Sequence, residues 1–115
     1  MFSDKIKRYY LADSRKEFEE DFPESNELTK DFPFGEVLFV KKEGEIYAFI
    51  NHCPHQGQKM QGCNIENGRV MCPVHKYKFD IKTGRGNGLY LDFYPLEENE
   101  EGFFLLRKYF SWFGE

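Results

Sequence analysis

The stretch NHCPHQGQKMQGCNIENGRVMCPVH, residues 51–75, holds all three cysteines and all three histidines of a 115-residue chain. Thiolate and imidazole are strong ligands for transition metals, so their confinement to one segment points to a metal centre. Cys53-Pro54-His55 and Cys72-Pro73-Val74-His75 each offer one thiolate and one imidazole, with 16 residues between His55 and Cys72. Such short spacings let both donors of a loop converge on one site. The prolines fix the backbone in advance, so less ordering entropy is lost on binding. Gly57 allows a tight return of the first loop. Four donors of these types could also complete a tetrahedral Cys₂His₂ zinc site, but zinc loops usually space their ligands by two to four residues, and the Cys53-x-His55 half does not.

The remaining chemistry-bearing residues have plainer readings. Cys63 lies between the two loops and is expected to be a loop or core thiol. An odd number of cysteines is a poor disulfide framework and suits a reducing compartment. His52 adjoins Cys53, but neighbouring side chains diverge in extended backbone, so it reads as a surface histidine. Gly84-Arg85-Gly86-Asn87-Gly88 resembles a phosphate loop only superficially, because no helical pattern follows it, and a flexible turn is expected there. Outside the Cys/His segment no nucleophile and base are paired, so no catalysis of the chain's own is expected.

The elements that must position these residues read as short strands punctuated by turns. Lys5 to Leu11 predicts an opening strand. Ser14 and Glu17 have the spacing of a capping box ahead of a short helix to about Asp21. Residues 22–35, rich in Phe, Pro and acids, read as a loop. Strands 36–41 and 45–50 flank the turn 42–44 as a hairpin that runs into the first ligand loop. Asn67-Gly68 is a strong hairpin signal, because both residues tolerate the positive φ of a type I′ turn, and it delivers the second ligand loop on the end of a strand. Residues 77–82 predict a strand closed by Thr83-Gly84. Residues 90–96 are expected to pair with 102–107 across the acidic turn 97–101, and the aromatic tail 109–113 to pack over the base of the domain. The sum is a small antiparallel all-β domain.

The chain's length allows one domain, and its 40% hydrophobic and 18% aromatic content rules out a disordered or collagen-like chain. No apolar run approaches a membrane span, and the amino terminus MFSDKIKRYYLADS lacks the apolar core and cleavage site of a secretory signal. A cytoplasmic location is expected. The net charge of −4 conceals an asymmetry. Between Asn51 and Arg85, Lys59, Arg69, Lys76, Lys78, Lys82 and Arg85 stand against Glu66 and Asp80, six positive to two negative, leaving eighteen acids against ten bases elsewhere. A basic face around the site would steer an acidic partner. Nucleic acid is not expected as a partner, since there is no overall basic excess.

CPH, a 16-residue gap and CPVH followed by KYKFDIKTG resemble a Rieske-type iron–sulfur protein. The resemblance covers residues 36–96 well, and by size it is nearest to stand-alone Rieske ferredoxins and the small subunit of assimilatory nitrite reductase. It implies a Rieske-type antiparallel β-sandwich, a single domain over 1–115, with a small cluster-binding subdomain at one end over about 50–82 and a base from about 1–49 and 83–115. It also implies one 2Fe-2S cluster, with Cys53 and Cys72 on one iron and His55 and His75 on the other. Two ferric ions, two sulfides and two thiolates sum to zero charge, whereas four thiolates would leave a double negative charge, so the mixed set accepts an electron more easily. Rieske potentials accordingly run from roughly −150 to +300 mV, against about −400 mV for plant-type clusters. Reduction also raises the proton affinity of the histidine ligands, which would couple electron uptake to proton uptake at high pH.

High-potential relatives add a cysteine to each loop, together with a serine that donates to a cluster sulfide. Here Gln58, Val74 and Tyr77 stand at those positions, so the low end of the range is expected. Lys76 also stands where relatives usually have glycine, and Gly86-Asn87-Gly88 lacks a proline common in the shielding loop. The function implied is electron carriage from a flavin reductase to a terminal oxygenase or reductase. The alternative is the small subunit of an NAD(P)H-dependent nitrite reductase, whose flavin and sirohaem a chain of this length could not itself house.

Overall fold

The computed structural model describes residues 2–55, 57–74 and 77–112, with side chains described from residue 5 to residue 108. Phe22–Phe93 packs as one compact unit, and the segments on either side of it form a second. Every strand pairing in both units is antiparallel, as the turn pattern predicts.

In the flanking unit, β1 (Phe2–Ala12), β10 (Leu96–Asn99) and β11 (Gly102–Trp112) form a sheet in the order β1-β11-β10. One helix, α1 (Arg15–Glu20), follows β1, and its cap is the one the sequence predicts: the Ser14 hydroxyl accepts the Glu17 amide at 3.1 Å. The helix is too short to be stable alone. Burial of Phe18 against Phe103, with ring centroids 5.4 Å apart, supplies what propensity does not. The acidic segment expected to be all turn splits: Glu97–Asn99 is strand, facing Gly102–Phe104, and only Glu100 and Glu101 turn the corner. The aromatic side chains of the tail lie outside the described residues.

The central unit carries the Cys/His segment. Strands β2 (Glu27–Phe32), β3 (Gly35–Lys42) and β4 (Glu45–Ile50) form one sheet. β5 (Asn64–Glu66), β6 (Arg69–Met71) and β7 (Lys78–Asp80) form another, and β8 (Arg85–Gly86) with β9 (Leu89–Tyr90) makes a small hairpin. Val37, Leu38, Phe39 and Val40 are buried in succession, which marks β3 as the central strand covered on both faces. In the second sheet Ile65, Val70 and Phe79 point inward, and their neighbours along the strands face out. Leu38, Phe49, Met60, Val70, Phe79 and Leu91 close one apolar cluster that also contains Cys53 and Cys72. These two thiols are therefore part of the core.

Three expectations are corrected here. Residues 27–32, read as loop, are a strand: every residue from Glu27 to Phe32 pairs with β3 in register from Val40 to Gly35. As an edge strand with only half-buried side chains, β2 has no apolar alternation to betray it. Residues 84–88, read as a flexible turn, instead contribute to a hairpin of Arg85–Gly86 with Leu89–Tyr90 around Asn87-Gly88, at φ 53° and 76°. This is the same turn chemistry as Asn67-Gly68, at 55° and 73°. Of residues 90–96, only Pro95, whose carbonyl accepts the Leu106 amide at 2.9 Å, and Leu96, opposite Leu105, join the pairing with 102–107. Instead Phe93 bridges Phe49 and the Asp92 carbonyl accepts the Ile50 amide, because burying Leu91 in the central core holds this segment there.

Gly86 is required by space alone. A Cβ at this position would fall 1.8 Å from the Lys78 carbonyl oxygen, so only glycine lets β8 lie against β7. At Gly88 a Cβ would meet nothing, and the cost is confined to the left-handed backbone at φ 76°. Gly86→Ala is therefore expected to lower stability by at least about 1–3 kcal/mol in denaturant unfolding, and Gly88→Ala by about 1 kcal/mol. Equal losses would contradict the close approach of the two strands.

Candidate metal centre

Both ligand loops spring from strand ends. β4 ends at Ile50 and leads into the first; β6 ends at Met71 and leads into the second, which returns on β7 at Lys78. The same bond closes each loop: the Cys53 amide donates to the Gln58 carbonyl at 2.7 Å, and the Cys72 amide to the Tyr77 carbonyl at 2.7 Å, in each case five residues on. In the first loop the Gly57 amide also donates to the Cys53 carbonyl at 2.8 Å, with Gly57 at φ 82°. Cys53 and Cys72 are both fully buried, and neither is in a disulfide.

His55 presents a buried Nδ1, and its ring lies 4.2 Å, centroid to centroid, from the Tyr77 ring at a 37° tilt. Tyr77 closes the second loop while packing on the histidine of the first, so this contact joins the two loops. Three of the four ligands expected from the sequence, Cys53, His55 and Cys72, are thus carried on paired, rigidly closed loops. His75 lies outside the described residues. His52 is exposed, with its ring over Gly57, as its surface reading predicts. Cys63 packs partly into the core; burial, and after it the Glu27 carboxylate, push its thiol up to about 12. It stays protonated near neutral pH, which makes it a poor ligand and a plain core thiol.

Sequence reasoning missed the residue that holds the first loop. Asn51, 3% exposed, uses its side chain in three directions. Its Oδ1 accepts the Met60 amide at 2.6 Å, and its Nδ2 donates to Glu36 at 2.8 Å and Gln61 at 3.2 Å. Lys59 completes the clamp with a 2.6 Å ion pair to Glu36. The signal was an asparagine between an apolar strand and a ligand loop, in a place where a turn would not need one. Its partners lie 9 to 15 residues away in sequence, which local pattern cannot reveal.

Two fully buried thiols and a buried imidazole nitrogen on paired loops are donors that would suit a 2Fe-2S cluster, which takes two protein ligands per iron.

A family model described as Rieske [2Fe-2S] domain matches residues 9–89. The ferredoxin component of the naphthalene 1,2-dioxygenase/salicylate 5-hydroxylase systems of Ralstonia sp is 33% identical over 66 residues, covering 57% of this chain and 64% of that protein. Among solved structures, the ferredoxin of carbazole 1,9a-dioxygenase from Nocardioides aromaticivorans IC177 superposes with a TM-score of 0.63 at 19% identity, over 87% of this chain and 96% of that one. A chain from Mycobacterium tuberculosis, named as the small subunit of an NADH-dependent nitrite reductase, gives 0.62 at 16% identity, over 91% and 96%. At these identities the structural likenesses speak for the fold alone. The chain spans between 8% and 64% of the length of the curated relatives it matches.

Removing the Asn51 side chain strands the Met60 amide, so Asn51→Ala is expected to cost about 1–3 kcal/mol in unfolding and to speed iron loss to a chelator. Unchanged iron retention would show that the clamp does not hold the loop. The clamp also has a pH signature. The hydrogen bond from Lys59, and next that from Asn51, hold the Glu36 carboxyl below its ordinary value of 4.5. Its contribution is present above that value and is lost as pH falls through the lower, folded one. Stability of the wild type should therefore fall more steeply below about pH 4.5 than that of Glu36→Gln.

Proposed function

The chain belongs to the Rieske [2Fe-2S] family, and from that membership we propose that it carries single electrons from a flavin-containing reductase to a terminal oxygenase or reductase, with its cluster held by Cys53, His55, Cys72 and His75. The observation that carries this reading is the pair of fully buried thiols on two loops that share a closing bond, with a buried imidazole nitrogen on the first loop whose ring packs on Tyr77 of the second. When bound, the cluster supplies reversible uptake and release of one electron.

The chain's own residues do the rest. The cysteine thiolates and neutral imidazoles would hold the oxidised group at zero net charge. Val70, Phe79 and Leu91, all fully buried, keep water from the sulfur side. Closed loops on strand ends leave the ligands little room to shift when charge changes. Val74 is 54% exposed one residue before His75, and gives a partner an apolar contact next to a ligand. An electron-carrying small subunit of an NAD(P)H-dependent nitrite reductase is the second reading, favoured by the fold shared with the Mycobacterium tuberculosis chain. Among the described residues no helix is long and apolar enough to cross a membrane, and the cytoplasm is the location this reading implies.

An anaerobic redox titration followed by visible absorption and EPR tests the proposal. One electron per chain is expected at a single potential toward the low end of the Rieske range of roughly −150 to +300 mV. A sample that takes up no electron across that range would overturn it.

A further inference from the structure

The outer face of the β5-β6-β7 sheet and the adjoining β8 hairpin enclose a groove of about 510 Å³ lined by Arg69, Lys78, Asp80, Arg85, Gly86 and Asn87. Arg69 stands opposite Asp80, and Lys78 opposite Met71, in the strand register. Gly86 lets β8 lie against the Lys78 backbone, and Arg85 and Lys78 line the same groove. All three basic side chains are exposed, and none of them enters an ion pair among the described residues. The one acid in the lining, Asp80, accepts the Lys82 amide at 2.7 Å and the Thr83 amide at 3.1 Å through a single oxygen, Oδ1. Asp80 lies in the lining and Glu66 stands opposite Arg69, but the lining keeps a positive excess, three bases to one acid, which attracts anions.

The groove also adjoins the metal centre. Met71 and Lys78, a register pair, are the residues directly before Cys72 and directly after Tyr77. Continuing past Arg85, a second concavity runs along the hairpin to Tyr90, which is 57% exposed. Arginine and tyrosine are the side chains most enriched at protein interfaces.

We infer that this groove is the docking surface for a carboxylate-rich face of the redox partner protein, seated so that the partner lies beside the second ligand loop. The inference rests on the electron-carrier reading above and specifies its partner's chemistry. Arg69 and Arg85 each offer a planar fork to a carboxylate, and Lys78 a point charge between them.

The test uses the intact, cluster-loaded protein with two probes. A fluorescent deca-glutamate peptide reports binding by anisotropy. Hexacyanoferrate(III), which takes one electron from the reduced protein to become hexacyanoferrate(II), reports electron transfer in stopped flow. The neutralised variant R69Q/K78Q/R85Q is compared with K5Q/K7Q/K16Q, which removes as much charge from the flanking unit, after the visible spectrum confirms that both retain the cluster. At low salt the first variant is expected to lose peptide binding and to transfer electrons at least about tenfold more slowly, while the second stays within about twofold of wild type. The peptide should also slow the wild-type reaction, and salt should abolish both effects. Equal losses in the two variants, or none in either, would overturn the docking surface while leaving electron transfer itself intact. Failure of the carrier reading would look different, with no electron reaching hexacyanoferrate(III) from any of the three proteins. Salt-sensitive self-association lost only in R69Q/K78Q/R85Q would make the occupant a second copy and overturn the acidic-partner assignment.

Discussion

Two backbone hydrogen bonds, from the Cys53 amide to the Gln58 carbonyl and from the Cys72 amide to the Tyr77 carbonyl, set the terms for the rest of the molecule. Each folds one loop of the Cys/His segment back on itself so that its cysteine is carried inward, into the apolar cluster. A buried amide left without such a partner would cost more than the bond contributes when made. The loops are therefore held shut only where strands present the two ends at the right separation. The β3-β4 hairpin and the β5-β6-β7 sheet do this, with Asn51 pinning the end of the first loop to Met60 and Glu36.

That constraint places the thiols proposed to bind the cluster inside the core. Cys53 and Cys72 belong to the same apolar cluster as Leu38, Phe49, Phe79 and Leu91. A charged group placed there would be costly. The proposed ligand set would answer this, because two thiolates and two neutral imidazoles around two ferric ions and two sulfides would leave no net charge to bury. Charge instead gathers outside, on the face formed by Arg69, Lys78 and Arg85, where it is solvated and available to a partner.

What the sequence revealed follows the range of the forces involved. The ligand spacing, the Ser14 cap and the Asn67-Gly68 turn are local chemistry and were legible at once. Asn87-Gly88 carries the same turn signal and was passed over, because two-residue strands leave no alternation beside it. β2 was hidden by its position: an edge strand buries too little to show a pattern, and its acids and the following Pro33 read as loop. The Asn51 clamp and the groove were not legible at all. Both depend on which distant residues meet, and the groove further depends on Gly86 having no side chain.

Pulsed EPR of the reduced cluster, with the protein carrying ¹⁵N-labelled histidine, tests the central claim most directly. The account predicts hyperfine coupling to two inequivalent imidazole nitrogens, one of which disappears in His55→Cys. A reduced cluster coupled to no histidine nitrogen, or one whose couplings survive that substitution, would contradict the division of two cysteines and two histidines between two irons.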